Sequence, residues 1–327
     1  MKNFVSILTA TYNRGIYLKK LYKSLTLQKL KNFEWLIADD ASTDKTKKII
    51  NGFIKENKIR IVYFRSNLHI GKSVLDNLLL KNSKGEFILH CDSDDYLKKD
   101  ALIFLKKKID ENKNLFKENI IGIISQNLST KGISQTYNKY KLPNEGKIYD
   151  WDKARKFIIG DATMLIKKEC FKNAKYPEVD FISNEGVLLE NLYKKKKFIM
   201  SKKVTKIMNR NANLSVSFGN KLRYSRGSVY SIISTITKKR FNSLSFMEKL
   251  KTTLNYGRYC IHADLNYLET KNKWIISKKN KLFLIYFILS GIICIRDHLL
   301  GKVEKTHREF DINIKKYKIE EIYNYRK

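Results

Sequence analysis

The sequence predicts an α/β protein with a mostly parallel central sheet, helices on both faces of that sheet, and a C-terminal helical extension. Over the first 130 residues, short apolar runs alternate with segments whose apolar residues recur at helical spacing. Continuous apolar runs separated by helices are typical of parallel strands buried on both faces. From about residue 220 only the helical spacing continues. With 327 residues, 43% of them hydrophobic, the chain can form one large core or two domains.

The first four predicted strands are each followed by a polar loop and then by a helix. The strands are NFVSILTAT, FEWLIAD, IRIVYF and EFILHC. The loops after them begin TYNRG, DDAST, RSNLHIG and CDSDDY. The helices are predicted in IYLKKLYKSLTLQ, KTKKIINGFIKE, IGKSVLDNLLLKN and DALIFLKKKIDEN. Because ligands bind beyond the carboxyl ends of parallel strands, the four loops are expected to converge at one edge of the sheet.

The pattern loosens after a fifth strand in NIIGIISQNL. DATMLI is predicted as another strand, NEGVLLENLYKKKK as a helix, and KFIMSKKVTKIM as a closing pair of strands. Three helices are then predicted in LRYSRGSVYSIISTITKK, FMEKLKTTLNYGRYCIHADLNYL and KLFLIYFILSGIICIRDHLLG. These elements predict two domains, a catalytic domain over residues 1–215 and a helical extension over residues 216–327.

The chain is strongly basic, with 66 Lys and Arg against 32 Asp and Glu, for a formal charge of +34. Residues 220–327 carry 23 basic and 9 acidic side chains, a net charge of +14. Such an excess attracts anionic lipid, nucleic acid or phosphate-bearing substrates. Lysine is abundant throughout, so a genome-wide preference for lysine explains the charge equally well.

The four cysteines lie far apart and form no C-x-x-C pair. This spacing argues against a disulfide framework and against structural zinc, and it fits a reduced, cytoplasmic setting. The apolar run near the N-terminus is too short for a signal peptide and is predicted as the first strand.

Three carboxylates follow the fourth strand within four positions: Asp92, Asp94 and Asp95. An acidic helix start is a common reason for such residues, but Asp100 alone would serve that purpose. A calcium loop counted from Asp92 would need glycine and glutamate where leucine and isoleucine stand. A divalent ion would offset the repulsion, and carboxylate oxygens suit Mg²⁺ or Mn²⁺ together with substrate phosphates. The cluster therefore predicts a metal and a nucleotide diphosphate.

Four segments in this order resemble family 2 glycosyltransferases with the nucleotide-sugar-binding A-type fold. The segments are VSILTATYNR, EWLIADDASTDKT, RSNLHIGKSVLDN and KGEFILHCDSDDYL. The resemblance covers roughly residues 3–210 and is most specific over the first 105. It implies transfer of a sugar from a nucleotide sugar, with uracil and ribose held by the first two loops. Carried over, Thr11 and Tyr12 line the base, and Asp40 hydrogen-bonds it with Asp39 nearby. Turn and helix-cap chemistry is the alternative role for Asp39 and Asp40.

The resemblance also assigns the third loop and the acidic cluster to the phosphates. In the third loop it matches Asn67, Gly71 and Lys72. It implies that the glycine permits close approach of the nucleotide and that the lysine meets a phosphate, although a solvated surface lysine is as plausible. It places Asp92 near the ribose, with Asp94 and Asp95 at the metal–diphosphate end. Which of these last two ligates Mn²⁺ or Mg²⁺ stays open.

An inverting transfer needs a base to take the proton from the acceptor hydroxyl. In the family an E-D pair usually supplies it, and the matching residues here are Asn184 and Glu185. This departure leaves Glu185 as the predicted catalytic base, since glutamate performs the same proton transfer with one more methylene. Glu190, on the same predicted helix, is the competitor.

Residues 282–295 form a run of 14 uncharged residues that as a helix would span about 21 Å, short of the roughly 30 Å hydrocarbon core. Lysines precede the run and Arg296 follows it, as expected for a segment lying in an anionic interface. A helix buried against protein is the alternative. Since many relatives in the family extend lipid-linked saccharides at the bacterial inner membrane, the resemblance implies a peripheral position at its cytoplasmic face.

The sequence thus predicts a metal-dependent, inverting glycosyltransferase that moves a sugar from a nucleotide sugar, with UDP expected, to a glycan or lipid-linked acceptor. The product would be a cell-surface polysaccharide or glycolipid, and no nucleic acid is expected as a partner. Two alternatives are a sugar-nucleotide nucleotidyltransferase and a non-enzymatic basic protein that binds polyanions or membranes. A nucleotidyltransferase would need a glycine-rich loop after the first strand, and this sequence has none there. A polyanion-binding protein would leave the carboxylate cluster unexplained.

Overall fold

The computed structural model of the protein describes residues 4–117, 119–138, 140–178, 188, 192–193, 195–209, 225–236, 241–242, 244–274, 283–300 and 318–323. The chain divides into two compact units. The first comprises Met1–Tyr176, Asn191–Ser215 and Asn313–Lys327, and the second comprises Pro177–Glu190 and Val216–Ile312. The predicted division of the chain at residue 215 stays a prediction.

The first unit contains a ten-stranded sheet and five helices among the described residues. The strands are β1 Val5–Thr11, β2 Phe33–Asp39, β3 Ile61–Ser66, β4 Phe87–His90, β5 Tyr96–Leu97, β6 Ile120–Ser129, β7 Ile148–Asp150, β8 Thr163–Lys167, β9 Lys197–Met208 and β10 Ile319–Tyr323. The helices are α1 Gly15–Thr26, α2 Thr46–Glu56, α3 Lys72–Asn82, α4 Ala101–Glu111 and the short α5 Trp151–Ala154.

The sheet has the strand order β10-β3-β2-β1-β4-β8-β6-β9-β5, with β7 paired to β9. Strands β3, β2, β1 and β4 run parallel, as do β6 and β9. Strand β8 is antiparallel to both β4 and β6, and β10 is antiparallel to β3. The α/β class with a central, largely parallel sheet is confirmed.

Helices cover both faces of the sheet because the strands carry apolar side chains on both sides. On one face, apolar residues of α1, α2 and α4 form a buried cluster with alternate residues of the strands, among them Ile7, Trp35 and Tyr63. Helix α3 contacts β1 and β2, and its buried residues, among them Val74 and Leu79, do not belong to this cluster. This two-sided burial fixes the carboxyl ends of β1 to β4 along one edge.

The predicted closing pair of strands is wrong, because Lys197–Met208 forms the single strand β9. The segment has no glycine, proline or asparagine to reverse the chain near Ser201–Lys203. Instead, β9 continues as one strand beside β6, and the register of this pairing shifts between Ile124 and Gln126, as in a β-bulge.

The second unit is helical in its described part. Its helices are α6 Ser225–Thr235, α7 Phe246–His262, α8 Tyr267–Lys273 and α9 Phe283–Leu299. The helix predicted over residues 246–268 is too long, since α7 ends at His262 and the chain turns at Asp264, whose φ is 59°. Asn266 then caps α8 by accepting a hydrogen bond from the Glu269 N–H. A small core around Tyr256, Cys260 and Trp274 packs α6, α7 and α8 together.

Most of the helix predicted in NEGVLLENLYKKKK, including Glu185 and Glu190, lies outside the described residues. In the described part of the chain, no helix combines the length and the apolar character that crossing a bilayer requires.

Candidate functional site

The first two strand-end loops are tied to each other by hydrogen bonds. Asn13, which follows β1 with a φ of 51°, accepts the Thr43 N–H on its side-chain oxygen at 2.8 Å. The Asn13 N–H in turn donates to the Ser42 hydroxyl at 2.8 Å. Asp40 donates its backbone N–H to the Thr11 carbonyl at 2.9 Å. The ends of β1 and β2 therefore form one rigid platform at the carboxyl edge of the sheet.

Asp39 is fully buried, and the surrounding protein occupies both of its oxygens. One oxygen accepts the Ser42 N–H at 3.0 Å, and the other accepts the Tyr63 hydroxyl at 2.9 Å. The Arg65 guanidinium lies 3.4 Å from that second oxygen. Burial raises the pKa of Tyr63, and the Asp39 carboxylate raises it further. The Ser42 contact is a turn hydrogen bond of the kind that the sequence left open as the alternative role for Asp39.

Asp40 binds the third loop to the second. Its two oxygens accept the backbone N–H groups of Ile70 and Gly71 at 2.6 and 2.9 Å. The His69 ring nitrogen Nδ1 lies 2.9 Å from one of those oxygens. The His69 ring stacks on Tyr12, with ring centres 4.0 Å apart and planes 23° apart. The predicted base-binding residues Tyr12 and Asp40 are thus brought together, with His69 between them.

Gly71 allows the third loop to turn into α3. Its φ is 86°, a left-handed conformation that strains any residue with a Cβ. The next residue, Lys72, places its ammonium 3.3 Å from Asp76 and 3.6 Å from Asp92. Asn67 has a different partner, since its side-chain oxygen accepts the N–H of Lys318, the residue before β10, at 2.6 Å.

The acidic cluster is held in place by buried groups of the sheet. The Trp35 indole donates to the Thr9 hydroxyl at 2.9 Å, and Thr9 donates to the Cys91 carbonyl at 2.8 Å. The Asp95 N–H then closes a turn on the Asp92 carbonyl at 3.1 Å. This chain of hydrogen bonds fixes where the cluster leaves β4.

Each of the three carboxylates faces one cation. Asp94 lies 3.3 Å from the Arg14 guanidinium and Asp95 lies 3.0 Å from the Lys206 ammonium, while Asp92 faces Lys72. The Asp94 and Asp95 side chains are only 10% and 4% exposed, whereas Asp92 is half exposed. Burial raises the pKa of Asp94 and of Asp95, and their cations oppose it. The Lys72 charge lowers the pKa of Asp92 to about 2.

The cluster fits a divalent ion that also binds a substrate. Within the described residues, no three His, Cys, Asp or Glu side chains form a ready set of metal ligands. Mg²⁺ and similar ions commonly use one or two carboxylates and complete their coordination with substrate phosphates. Asp95 is already engaged on both oxygens, by Lys206 and by the Asn209 N–H at 3.2 Å. Of the two carboxylates predicted as metal ligands, Asp94 is therefore the one better suited to such an ion.

Sequence reasoning missed Arg14, His69 and Lys206. Arg14 is the third residue after β1, so its position in a strand-end loop could have identified it. His69 lies in the third loop, but its stacking on Tyr12 depends on the fold. Lys206 lies on the distant strand β9, beside Leu97 of β5, and nothing in the local sequence marks it.

The family model described as Glycosyl transferase family 2 matches residues 6–173 of the chain. A GalNAc(5)-diNAcBac-PP-undecaprenol beta-1,3-glucosyltransferase from Campylobacter jejuni is 32% identical over 203 residues, which cover 61% of this chain and 62% of the relative. The chain thus spans less than two thirds of that relative. A putative teichuronic acid biosynthesis glycosyltransferase, TuaG, from Bacillus subtilis is 28% identical over 179 residues, 54% of this chain and 68% of the relative.

Solved structures share the fold. A crystal structure of S. aureus TarS residues 1–349 in complex with UDP-GlcNAc aligns with a TM-score of 0.56 and 17% identity, over 98% of this chain and 99% of that one. A mannosyltransferase from Pyrobaculum calidifontis in complex with GDP-Man and Mn²⁺ aligns with a TM-score of 0.54 and 12% identity, over 93% and 89%.

Proposed function

We propose that this chain, which belongs to glycosyl transferase family 2, transfers a sugar from a UDP-sugar to a glycan or lipid-linked acceptor, with inversion at the transferred sugar. One observation carries the proposal. Four strand-end loops meet at the carboxyl edge of β1 to β4, and they bring Tyr12, Asp40, Lys72 and the acidic cluster 92–95 to one place. This edge is where open α/β sheets bind their ligands.

The nucleotide base would stack on the Tyr12–His69 pair, and the Thr11–Asp40 platform would fix the edge of the base. Asp40 already organises the third loop through Ile70 and Gly71, so its role includes holding that loop in shape for the nucleotide. Lys72, next to Gly71, is placed to meet a phosphate. The TarS complex with UDP-GlcNAc supports UDP as the nucleotide.

A divalent ion, Mn²⁺ or Mg²⁺, would be held by Asp94, with Asp92 near the ribose. When bound, it would stabilise the negative charge on the departing diphosphate as a Lewis acid. Lys206 keeps Asp95 in an ion pair, so we assign Asp95 to shaping the cluster. The mannosyltransferase complex with Mn²⁺ supports the choice of ion.

Glu185 is the residue we propose as catalytic base. It would take the proton from the acceptor hydroxyl as the oxygen attacks C1 from the face opposite the diphosphate, which inverts the configuration. The acceptor is proposed to be a lipid-linked or polymeric glycan of the cell surface, in keeping with the name of the Campylobacter relative. The reaction would then take place at the cytoplasmic face of the cell membrane.

The test has two steps. Thermal shift with UDP, GDP, Mn²⁺ and chelator first shows whether UDP and Mn²⁺ stabilise the full chain together. UDP release is then measured with a panel of UDP-sugars and undecaprenyl-diphosphate-linked saccharides. Turnover that survives chelation would contradict the proposed role of the metal. Absence of UDP binding would contradict a UDP-sugar as the donor.

The Glu185→Gln variant tests the base. It should bind UDP as the unmodified chain does and lose transfer, whereas Glu190→Gln serves as the matched control and should keep transfer. If Glu185→Gln retains full turnover, the base lies elsewhere.

A further inference from the structure

Helix α9 turns its polar residues inward and its aliphatic residues outward. Six aliphatic side chains on one side of α9 are 41–63% exposed, and we call them the aliphatic face: Leu284, Ile285, Ile288, Leu289, Ile292 and Ile295. On the opposite side, Ser290, Cys294 and Asp297 are buried. This arrangement reverses the usual amphipathic helix of a water-surrounded protein, in which the apolar side faces the core.

Specific contacts with α7 fix this orientation. The Asp297 carboxylate lies 2.6 Å from the Arg258 Nε and 3.2 Å from the His262 Nε2. The Ser290 hydroxyl donates to the Leu254 carbonyl at 3.0 Å. A Cβ at Gly257 would come within 2.5 Å of the Ser290 Oγ, so this glycine lets the two helices approach closely. Rotating α9 to bury its aliphatic face would remove all of these contacts.

An exposed, contiguous aliphatic surface of this kind marks an interaction site. The occupant must be apolar, and the charge of the region selects among apolar partners. Residues 220–327 carry a net charge of +14, so a second copy of the chain would bring like charge against like charge. An anionic bilayer offers both an acyl boundary for the aliphatic face and a negative surface for the lysines and arginines.

We propose that the aliphatic face of α9 inserts into the headgroup–acyl boundary of an anionic membrane, with α9 lying in the plane of the surface. The 17 residues of α9 would span about 26 Å along the helix axis, less than the roughly 30 Å hydrocarbon core, which fits a helix that lies on a bilayer. Arg296, at the end of the face, lies 3.6 Å from the Asp297 carboxylate, yet its side chain is 61% exposed, so its outer edge can meet a lipid phosphate. This docking does not depend on the sugar transfer proposed above.

The test is flotation of the full-length chain with vesicles of phosphatidylethanolamine and phosphatidylglycerol, compared with vesicles of phosphatidylcholine alone. The double variant Ile288→Asn/Ile292→Asn should reduce binding to the anionic vesicles at least ten-fold. Ile133→Asn/Ile159→Asn is the matched control, since these two isoleucines are 61% and 64% exposed but lie in the other unit. The control should bind within two-fold of the unmodified chain.

Three results would overturn the proposal. The first is equal binding of the unmodified chain to both kinds of vesicle, and the second is unchanged vesicle binding by the Ile288→Asn/Ile292→Asn variant. The third is an unmodified chain that forms a dimer and does not bind vesicles, together with a variant that is monomeric. Thermal stabilisation by UDP and Mn²⁺ is measured on the same variants. If UDP and Mn²⁺ still stabilise the chain while vesicle binding is absent, only the docking proposal fails. If UDP and Mn²⁺ do not stabilise the unmodified chain, only the proposed donor site is contradicted.

Discussion

The Lys206 ammonium lies 3.0 Å from the Asp95 carboxylate, and both side chains are almost fully buried, at 6% and 4% exposed. Burial alone would lower the pKa of Lys206, but the neighbouring acidic groups, Asp95 first among them, together outweigh burial and raise that pKa above its ordinary value. This ion pair connects β9 to the loop that carries the acidic cluster. This contact joins the far side of the sheet to the proposed donor site.

Replacing Lys206 with methionine should destabilise the protein by about 3–5 kcal/mol, because Asp95 would remain buried without its cation. Urea denaturation measures the free energy of unfolding of each variant. The control is Lys202→Met, an exposed lysine on the same strand, which should change stability little. The double variant Lys206→Met/Asp95→Asn should recover much of the loss, and a Lys206→Met protein as stable as the parent would contradict the ion pair's role.

Asp94 and Asp95 should respond differently to amidation. Asp94→Asn should abolish the joint stabilisation by UDP and Mn²⁺ and reduce sugar transfer at least about 100-fold, since a catalytic cation supplies several kcal/mol. Asp95→Asn should chiefly lower the melting temperature, because its oxygens are engaged by Lys206 and the Asn209 N–H. Thermal shift and initial rates separate the two effects. Loss of metal response in Asp95→Asn with a normal Asp94→Asn would reverse the assignment.

Gly85 and Gly52 make a matched pair for backbone packing. A Cβ at Gly85 would lie 2.3 Å from the Ser6 backbone nitrogen, so Gly85→Ala should cost about 1–3 kcal/mol by overpacking. Gly52 is exposed in the middle of α2 with no heavy atom within 4 Å of the added Cβ, so Gly52→Ala should stabilise by about 0.5–1 kcal/mol. Chemical denaturation of both variants measures the change in the free energy of unfolding, which should be opposite in sign for the two. Changes of the same sign would contradict this packing.

Tyr12→Ala should weaken UDP binding by about 1–3 kcal/mol, the usual range for loss of one base-stacking aromatic ring. That energy corresponds to an increase in Kd of about 5- to 150-fold. Calorimetric titration of UDP with Mn²⁺ present measures it. Tyr140→Ala, at a tyrosine that is 84% exposed, is the control and should bind UDP normally. Unchanged affinity in Tyr12→Ala would place the base elsewhere.

The parallel part of the fold could be predicted because each strand there has its own apolar run and its own following helix. Strands β5, β7 and β10 escaped prediction because none of them has a continuous apolar run of its own, and their pairing depends on strands far away in the sequence. Strand β10 forms only against β3, where Ile319 pairs with Ser66. Local sequence carries little information about such edge strands.

For the site, the sequence could predict which loops meet but not which charges pair within them. The order of strand, loop and helix brings the Asp92–Asp95 loop to the same edge as Tyr12. The pairing of Asp95 with Lys206 depends instead on β9 lying beside β5, a consequence of sheet topology. Similarly, the bonds from Asp40 to Ile70 and Gly71 depend on the third loop folding over β2.

Asp297 should stabilise the helical unit in a pH-dependent way. Burial by itself raises the pKa of Asp297, but hydrogen bonds from Arg258 and His262 outweigh it and lower that pKa. A lowered pKa in the folded state stabilises the fold above the unfolded value of about 3.9 and loses this effect as the pH falls towards the folded value. At pH 7, Asp297→Asn should therefore destabilise α7 and α9 by about 1.5–3 kcal/mol, the range for hydrogen bonds to a charged group.

Hydrogen exchange of residues 246–262, corrected for intrinsic rates, measures this stability at pH 7, 5 and 3.5. The difference between the Asp297→Asn variant and the parent should be full at pH 7 and should begin to shrink at pH 3.5, where the carboxyl of the unfolded chain is largely protonated while the folded one keeps its charge. Asp264→Asn is the control, because asparagine accepts the left-handed φ of 59° found there. A difference that stays constant from pH 7 to 3.5 would show that Asp297 acts through packing and not through its charge.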